Sequence, residues 1–102
     1  MSPQSVFWRR IMLEKKIVIR NKAGIHCRPS SIIISEKENF PETAFKVTAE
    51  SGTTDLNGIL ELLALGLQSG DEITLQVSGG NEESALEAMK ALFEKEFDFP
   101  DA

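Results

Sequence analysis

Covalent and metal cross-links are excluded first. One cysteine, Cys27, and one histidine, His26, are all that this 102-residue chain holds of either type. A lone thiol cannot close an internal disulfide, and nothing in the chain has the Cys/His spacing of a zinc site. A single cysteine is ordinary in a reducing compartment, so the expected location is the cytoplasm. Long apolar runs are also missing: no stretch approaches the roughly 18 apolar residues that a membrane span needs. A secretory leader is not expected either, because Arg9 and Arg10 follow a short apolar pair, Phe7 and Trp8, instead of preceding a longer stretch. Residues 1–12 are therefore read as an N-terminal extension, with Met12 as an expected true start. Excess basic charge is absent. The formal net charge is −5, whereas contact with nucleic-acid phosphates calls for a basic surface.

What remains is the composition of one ordinary folded domain, 41% hydrophobic and 26% charged, large enough to bury a core without staples. Residues 16–20 are short and β-branched and read as a strand. Phe45, Val47 and Ala49 alternate with Lys46 and Thr48, and Ile73, Leu75 and Val77 alternate with Thr74, Gln76 and Ser78. This period of two predicts strands over 44–49 and 72–78, each with one buried and one wet face. A weaker fourth strand is read near 53–56. Residues 81–97 make the clearest helix: Asn81 is placed to cap it, Glu82 and Glu83 sit in the first turn, and Leu86, Met89, Leu92 and Phe93 form an apolar stripe. A shorter helix is read over 57–65, with Gly66 where a helix end favours glycine. Segment 27–38 fits two descriptions. Ile32, Ile33 and Ile34 in a row favour a strand by propensity, while Pro29, Ser30, Ser31 and the Glu36–Lys37 stretch favour a helix, and the pattern leans to helix. The order strand, helix, strand, strand, helix, strand, helix predicts an α+β layer, one sheet with helices on one face.

Reactive groups cluster only in Ala23-Gly24-Ile25-His26-Cys27-Arg28-Pro29. If a helix begins at Cys27, His26 takes the N-cap position beside the backbone N–H groups of the first turn, a natural anion site. Arg28 adds a permanent charge whose planar fork matches phosphate oxygens. Imidazole is a competent nucleophile near neutral pH. Nucleophile, anion cradle and cation within three residues fit transient phosphorylation of a histidine better than metal binding. Taken by residue type alone, a lone loop histidine is more often merely solvated, and an arginine beside it a surface charge.

The string Gly24-Ile25-His26-Cys27-Arg28-Pro29 resembles the active-site signature of the histidine-containing phosphocarrier family, HPr, of the bacterial sugar phosphotransferase system. Residues 57–67, Asn-Gly-Ile-Leu-Glu-Leu-Leu-Ala-Leu-Gly-Leu, and the following Gly70–Leu75 resemble its second-helix region and next strand, and residues 80–97 its last helix. The resemblance spans roughly 13–97 in matching order, leaving 98–102 as a C-terminal tail. It implies an open-faced β-sandwich: a four-stranded antiparallel sheet of order 1-4-2-3 with three helices on one face, including a helix over 27–38. It also implies that His26 accepts phosphate on Nδ1 from enzyme I and passes it to the A components of sugar permeases. Arg28, with the backbone N–H groups of Cys27 and Arg28, would hold the phosphoryl group. On that reading the protein is a monomeric carrier, not an enzyme, and needs no metal or cofactor. Ile59, Leu60 and Leu63 match the family's docking surface, while Leu62 and Leu65 are expected in the core. Residues 59–67 carry six Leu or Ile, more than one face of a two-turn helix can bury, which predicts an exposed apolar patch.

Three positions depart from the family. Cys27 replaces a small or hydroxyl residue; it is read as a space-filling side chain, with redox chemistry as the alternative. Gly58 stands where some members carry a regulatory serine, and without a hydroxyl that position cannot be phosphorylated. Ala23 replaces a polar neighbour of the histidine. Asn21-Lys22-Ala23-Gly24 leans slightly toward a regulatory, nitrogen-type branch, and a non-catalytic binding module is the rival from another class.

Overall fold

The structure is a computed structural model that describes residues 13–96; the expected N-terminal extension and the C-terminal tail lie outside the described residues. The elements run β1 (Leu13–Val18), α1 (Cys27–Lys37), β2 (Thr43–Ala49), β3 (Gly52–Thr54), α2 (Ile59–Ala64), β4 (Glu72–Gly79) and α3 (Glu82–Glu94). The four strands form one antiparallel sheet in the order β1-β4-β2-β3. This is the open-faced sandwich that the resemblance implied.

Period two decides which face of the sheet is covered. Ile17 pairs with Ile73, and Val77 and Leu75 of β4 pair with Phe45 and Val47 of β2. All six are buried beneath the helices. The opposite face carries the row Lys16, Thr74, Thr48 and Thr53, in register from β1 to β3. There Gln76 donates to Glu14 at 2.8 Å. β1 begins at Leu13, three residues before the expected start, because Leu13, Glu14 and Lys15 already pair with Val77, Gln76 and Leu75. Ile19 lies beyond the strand yet stays buried, its N–H bonded to the Asp71 carbonyl at 2.8 Å.

α3 follows its apolar stripe: Ala85, Leu86, Met89 and Phe93 are buried and Leu92 packs partly against them. The expected Asn81 cap is corrected. Asn81 occupies the N-cap position but at φ 56°, ψ 31°, and its side chain makes no capping bond. A cap side chain reaches the first-turn amides from extended backbone, and the left-handed geometry aims it elsewhere. The helix expected over 57–65 is shorter, Ile59–Ala64, with Gly58 as its N-cap and Gly66 at φ +60° donating to the Leu63 carbonyl.

Segment 27–38 resolves as helix. Three isoleucines in a row suit a strand by rotamer preference, but burial arbitrates. Ile33 is fully buried with Pro29 and Ser30, Ile34 packs partly against the core, and Ile32 is left on the outside. Pro29 in the first turn costs no hydrogen bond, since its missing N–H would have had no helical partner. Ser30 is an anomaly: its Oγ is buried and has no hydrogen-bond partner among the described residues. An unsatisfied buried hydroxyl is destabilising, so Ser30→Ala should raise stability by about 1 kcal/mol. A urea midpoint no higher than wild type would show that the hydroxyl is satisfied in solution.

Candidate functional site

α1 begins at Cys27, so His26 is its N-cap residue, with extended backbone at φ −96°, ψ −159° and no capping bond from the imidazole. The first bond of the helical ladder runs from the Ser30 N–H to the His26 carbonyl at 2.9 Å. The amides of Cys27 and Arg28 therefore precede that ladder and gather at the helix start, while Pro29 contributes no donor. His26 is half-buried, and Cys27 and Arg28 are exposed. Sequence reasoning placed these three residues together, and the structure assembles them on one helix end.

The loop before His26 is held from two sides. The Gly24 N–H bonds the Asn21 carbonyl at 2.8 Å, and the Asn21 Nδ2 donates to the Gly24 carbonyl at 2.7 Å. From across the fold, the Leu67 carbonyl accepts the Ile25 N–H at 2.9 Å. Gly24 is at φ +74°, and a Cβ there would overlap the Leu67 carbonyl oxygen and approach the Gln68 Cα to 2.9 Å. Only glycine serves at such a contact. Two further bonds, Gly70 N–H to the Ile19 carbonyl at 2.7 Å and Ile19 N–H to Asp71, bind the two loops lengthwise. Asn21 is 3% exposed, a burial that the sequence reading of Asn21-Lys22-Ala23-Gly24 did not expect. The available signal was an asparagine three residues before a glycine, a pairing that turns favour.

α2 packs against α1. It buries Leu62, with Leu65 just past its end, and turns Ile59 and Leu60 outward, 38% and 80% exposed; Leu63 lies between, half-buried. A clamp precedes the helix: the Lys37 Nζ donates to the Asn57 Oδ1 at 2.9 Å, and Asn57 donates through its side chain to Asp55 at 2.8 Å. Leu56, fully buried, takes φ 61°, with its N–H bonded to the Thr54 hydroxyl at 3.1 Å. Nothing in the sequence announced that conformation, which costs a leucine on the order of 1 kcal/mol. At Gly58 a Cβ would meet nothing within 4 Å, so the position is sterically open to a larger side chain. Among the described residues no group of His, Cys, Asp and Glu could hold a metal ion, and no helix is long and apolar enough to cross a membrane.

Fold and site together define a sheet covered on one side, presenting a single histidine where its first helix starts. The family model described as "PTS HPr component phosphorylation site" matches residues 13–95. The phosphocarrier protein HPr of Mycoplasma genitalium is 40% identical over 85 residues, covering 82% of this chain and 96% of that protein. The HPr-like protein Crh of Halalkalibacterium halodurans is 32% identical, covering 83% of this chain and 100% of Crh. The phosphocarrier protein NPr of Proteus mirabilis is 29% identical, covering 82% and 93%. Among solved structures, the crystal structure of HPr from Bacillus anthracis superposes with a TM-score of 0.75 at 25% identity, over 81% of this chain and 98% of that one. The chain belongs to the HPr family of phosphocarriers of the phosphotransferase system.

Two neighbouring leucines of α2 give contrasting tests. Leu60→Ala should change stability by less than about 0.5 kcal/mol, because the side chain is largely in water. Leu62→Ala should cost about 2–5 kcal/mol through lost burial and the cavity left behind. Urea midpoints of the two variants read the difference; equal losses would place Leu60 in the core.

Proposed function

We propose that His26 is the phosphoryl-bearing residue, loaded by enzyme I in the cytoplasm and unloaded to the A components of sugar permeases. The observation that carries this reading is the N-cap placement of His26, which puts it directly before the first-turn amides of α1 and two residues before Arg28. In each transfer the Nδ1 lone pair forms a bond to phosphorus while the bond from phosphorus to the donor's group breaks. Return of the phosphoryl group to an acceptor reverses the exchange at the same nitrogen. The Cys27 and Arg28 amides and the Arg28 guanidinium stabilise the oxygens of the moving group, a task of positioning and charge. The carrier supplies one nucleophile and part of the cradle; its partners complete the site, so it is not an enzyme on its own.

Docking is assigned to Ile59, Leu60 and Leu63 of α2, the helix that packs against α1. An exposed leucine next to an exposed isoleucine supports a transient apolar contact of modest area. The resemblance to NPr and the run Asn21-Lys22-Ala23-Gly24 support a second reading of the route, a regulatory relay with the same chemistry at His26.

Incubation with enzyme I and phosphoenolpyruvate should add one acid-labile, base-stable phosphate, seen by mass spectrometry, and His26→Ala should abolish it. Label retained by His26→Ala would remove the histidine from the reaction. Arg28→Ala should leave the fold intact and slow transfer by about 10- to 100-fold, the equivalent of roughly 1.5–3 kcal/mol for a charge-assisted contact. Wild-type rates in that variant would take Arg28 out of the cradle.

Regulation by a serine kinase is expected to be absent at residue 58. Treatment with the kinase that modifies serine in some relatives should leave the chain unlabelled, while Gly58→Ser, whose side chain meets no obstacle, should accept phosphate. Stoichiometric labelling of the unmodified chain would place a regulatory hydroxyl elsewhere, with Thr53 and Thr54 the first to examine.

A further inference from the structure

Around His26, the backbone is unusually well tied for a surface loop. The Gly24 N–H and carbonyl, the Ile25 N–H and the His26 carbonyl each have a hydrogen-bond partner. Three of those four bonds are backbone to backbone and survive any side-chain change. The fourth is made by a side chain, the Nδ2 of Asn21, and it satisfies the Gly24 carbonyl. Asn21 is 3% exposed, so this bond is shielded from water, and its loss would leave a buried acceptor unpaired. Gly24 has the freest backbone of the segment and the least room, being wedged at φ +74° against the Leu67 carbonyl. A peptide plane with such freedom keeps its orientation only if both ends are bonded. Asn21 bonds one end and Leu67 backs the other.

We propose that Asn21 is a positioning residue for phosphoryl transfer: its buried amide fixes the Gly24–Ile25 peptide and thereby sets where the helix start holds the His26 imidazole. The inference rests on His26 being the phosphoryl acceptor. Asn21 never touches the phosphoryl group, so it acts on the alignment of the reacting nitrogen and not on partner binding. Its loss belongs in kcat, because misplacing a nucleophile by a fraction of an ångström slows the step without weakening the docked complex. A residue that merely supported the fold would lower the urea midpoint and leave the saturated rate of the folded population unchanged.

The test compares Asn21→Ala and Asn21→Asp with wild type in saturation kinetics with enzyme I and phosphoenolpyruvate, at a temperature where urea titration shows each folded. Asn21→Ala should lower kcat about tenfold with KM within about twofold of wild type. Asn21→Asp, equal in shape but with no N–H to donate to the Gly24 carbonyl, should lower it at least as far. Wild-type kcat in either folded variant, or a change confined to KM, overturns the proposal. A second measurement needs no variant and no phosphorylation. In wild-type protein the Asn21 side-chain amide protons should exchange slowly with solvent by NMR, and fast exchange there overturns the proposal even if the variants do not fold. If wild type takes up no phosphate while the Asn21 amide is protected, the role of His26 fails and the positioning role falls with it. If wild type is phosphorylated and the variants match it, only the positioning role fails.

Discussion

Everything at the reactive end hangs on the approach of Gly24 to the Leu67 carbonyl. Two loops that are more than forty residues apart meet there without a side chain between them, and the Ile25 N–H closes the contact with a hydrogen bond. One loop leads into α1 and ends at His26; the other leaves α2, turns at Gly66 and enters β4. The loop before the histidine and the loop after the apolar helix are thus registered against each other through backbone. Backbone contacts of this kind tolerate almost no change at the glycine, and they ask little of the residues around it.

The rest of the molecule serves to hold that contact in place. The buried face of the sheet and the stripe of α3 supply the apolar area, with Ile17, Ile73, Leu75, Val77, Val47, Met89 and Phe93 all nearly inaccessible. Full burial of each such side chain contributes about 1.5–3 kcal/mol before chain entropy is subtracted. Against this surplus the fold carries small local costs. A leucine sits in left-handed backbone at Leu56, a serine hydroxyl is buried without a partner at Ser30, and Leu60 is left in water. The first and last of these flank the start of α2, where the fold gives up local stability to shape a surface.

Legibility in the sequence followed how local the deciding physics is. Strands β2 and β4 and helix α3 were readable because alternation and an apolar stripe are properties of consecutive residues. The helical fate of Ile32, Ile33 and Ile34 was legible only as a leaning, since it depends on Ile33 finding the core while Ile32 faces water, a tertiary fact that outweighs β-branched preference. Asn81 misled for a related reason: its residue type suits a cap, but the tight turn out of β4 takes it left-handed. His26, Cys27 and Arg28 were found because their chemistry is contiguous. Asn21 and the Leu67 carbonyl went unseen, one because polarity argues against burial and the other because a backbone oxygen has no residue code. Exposure at Ile59 and Leu60 followed from counting apolar residues on a helix too short to hide them.

The two edges of the sheet bear on how concentrated the protein can be. β3 offers three residues to a passing strand, and β1 presents Glu14, Lys15 and Lys16, all exposed, along the side opposite β4. Short length on one edge and charge on the other discourage intermolecular strand pairing. This chain has one histidine, so with His26 as the proposed acceptor the flux through the carrier grows with the number of copies. Crowded copies also meet one another edge to edge. Edges that discourage addition therefore keep copies apart as their number rises, which ties the sheet's borders to the carrier's working capacity.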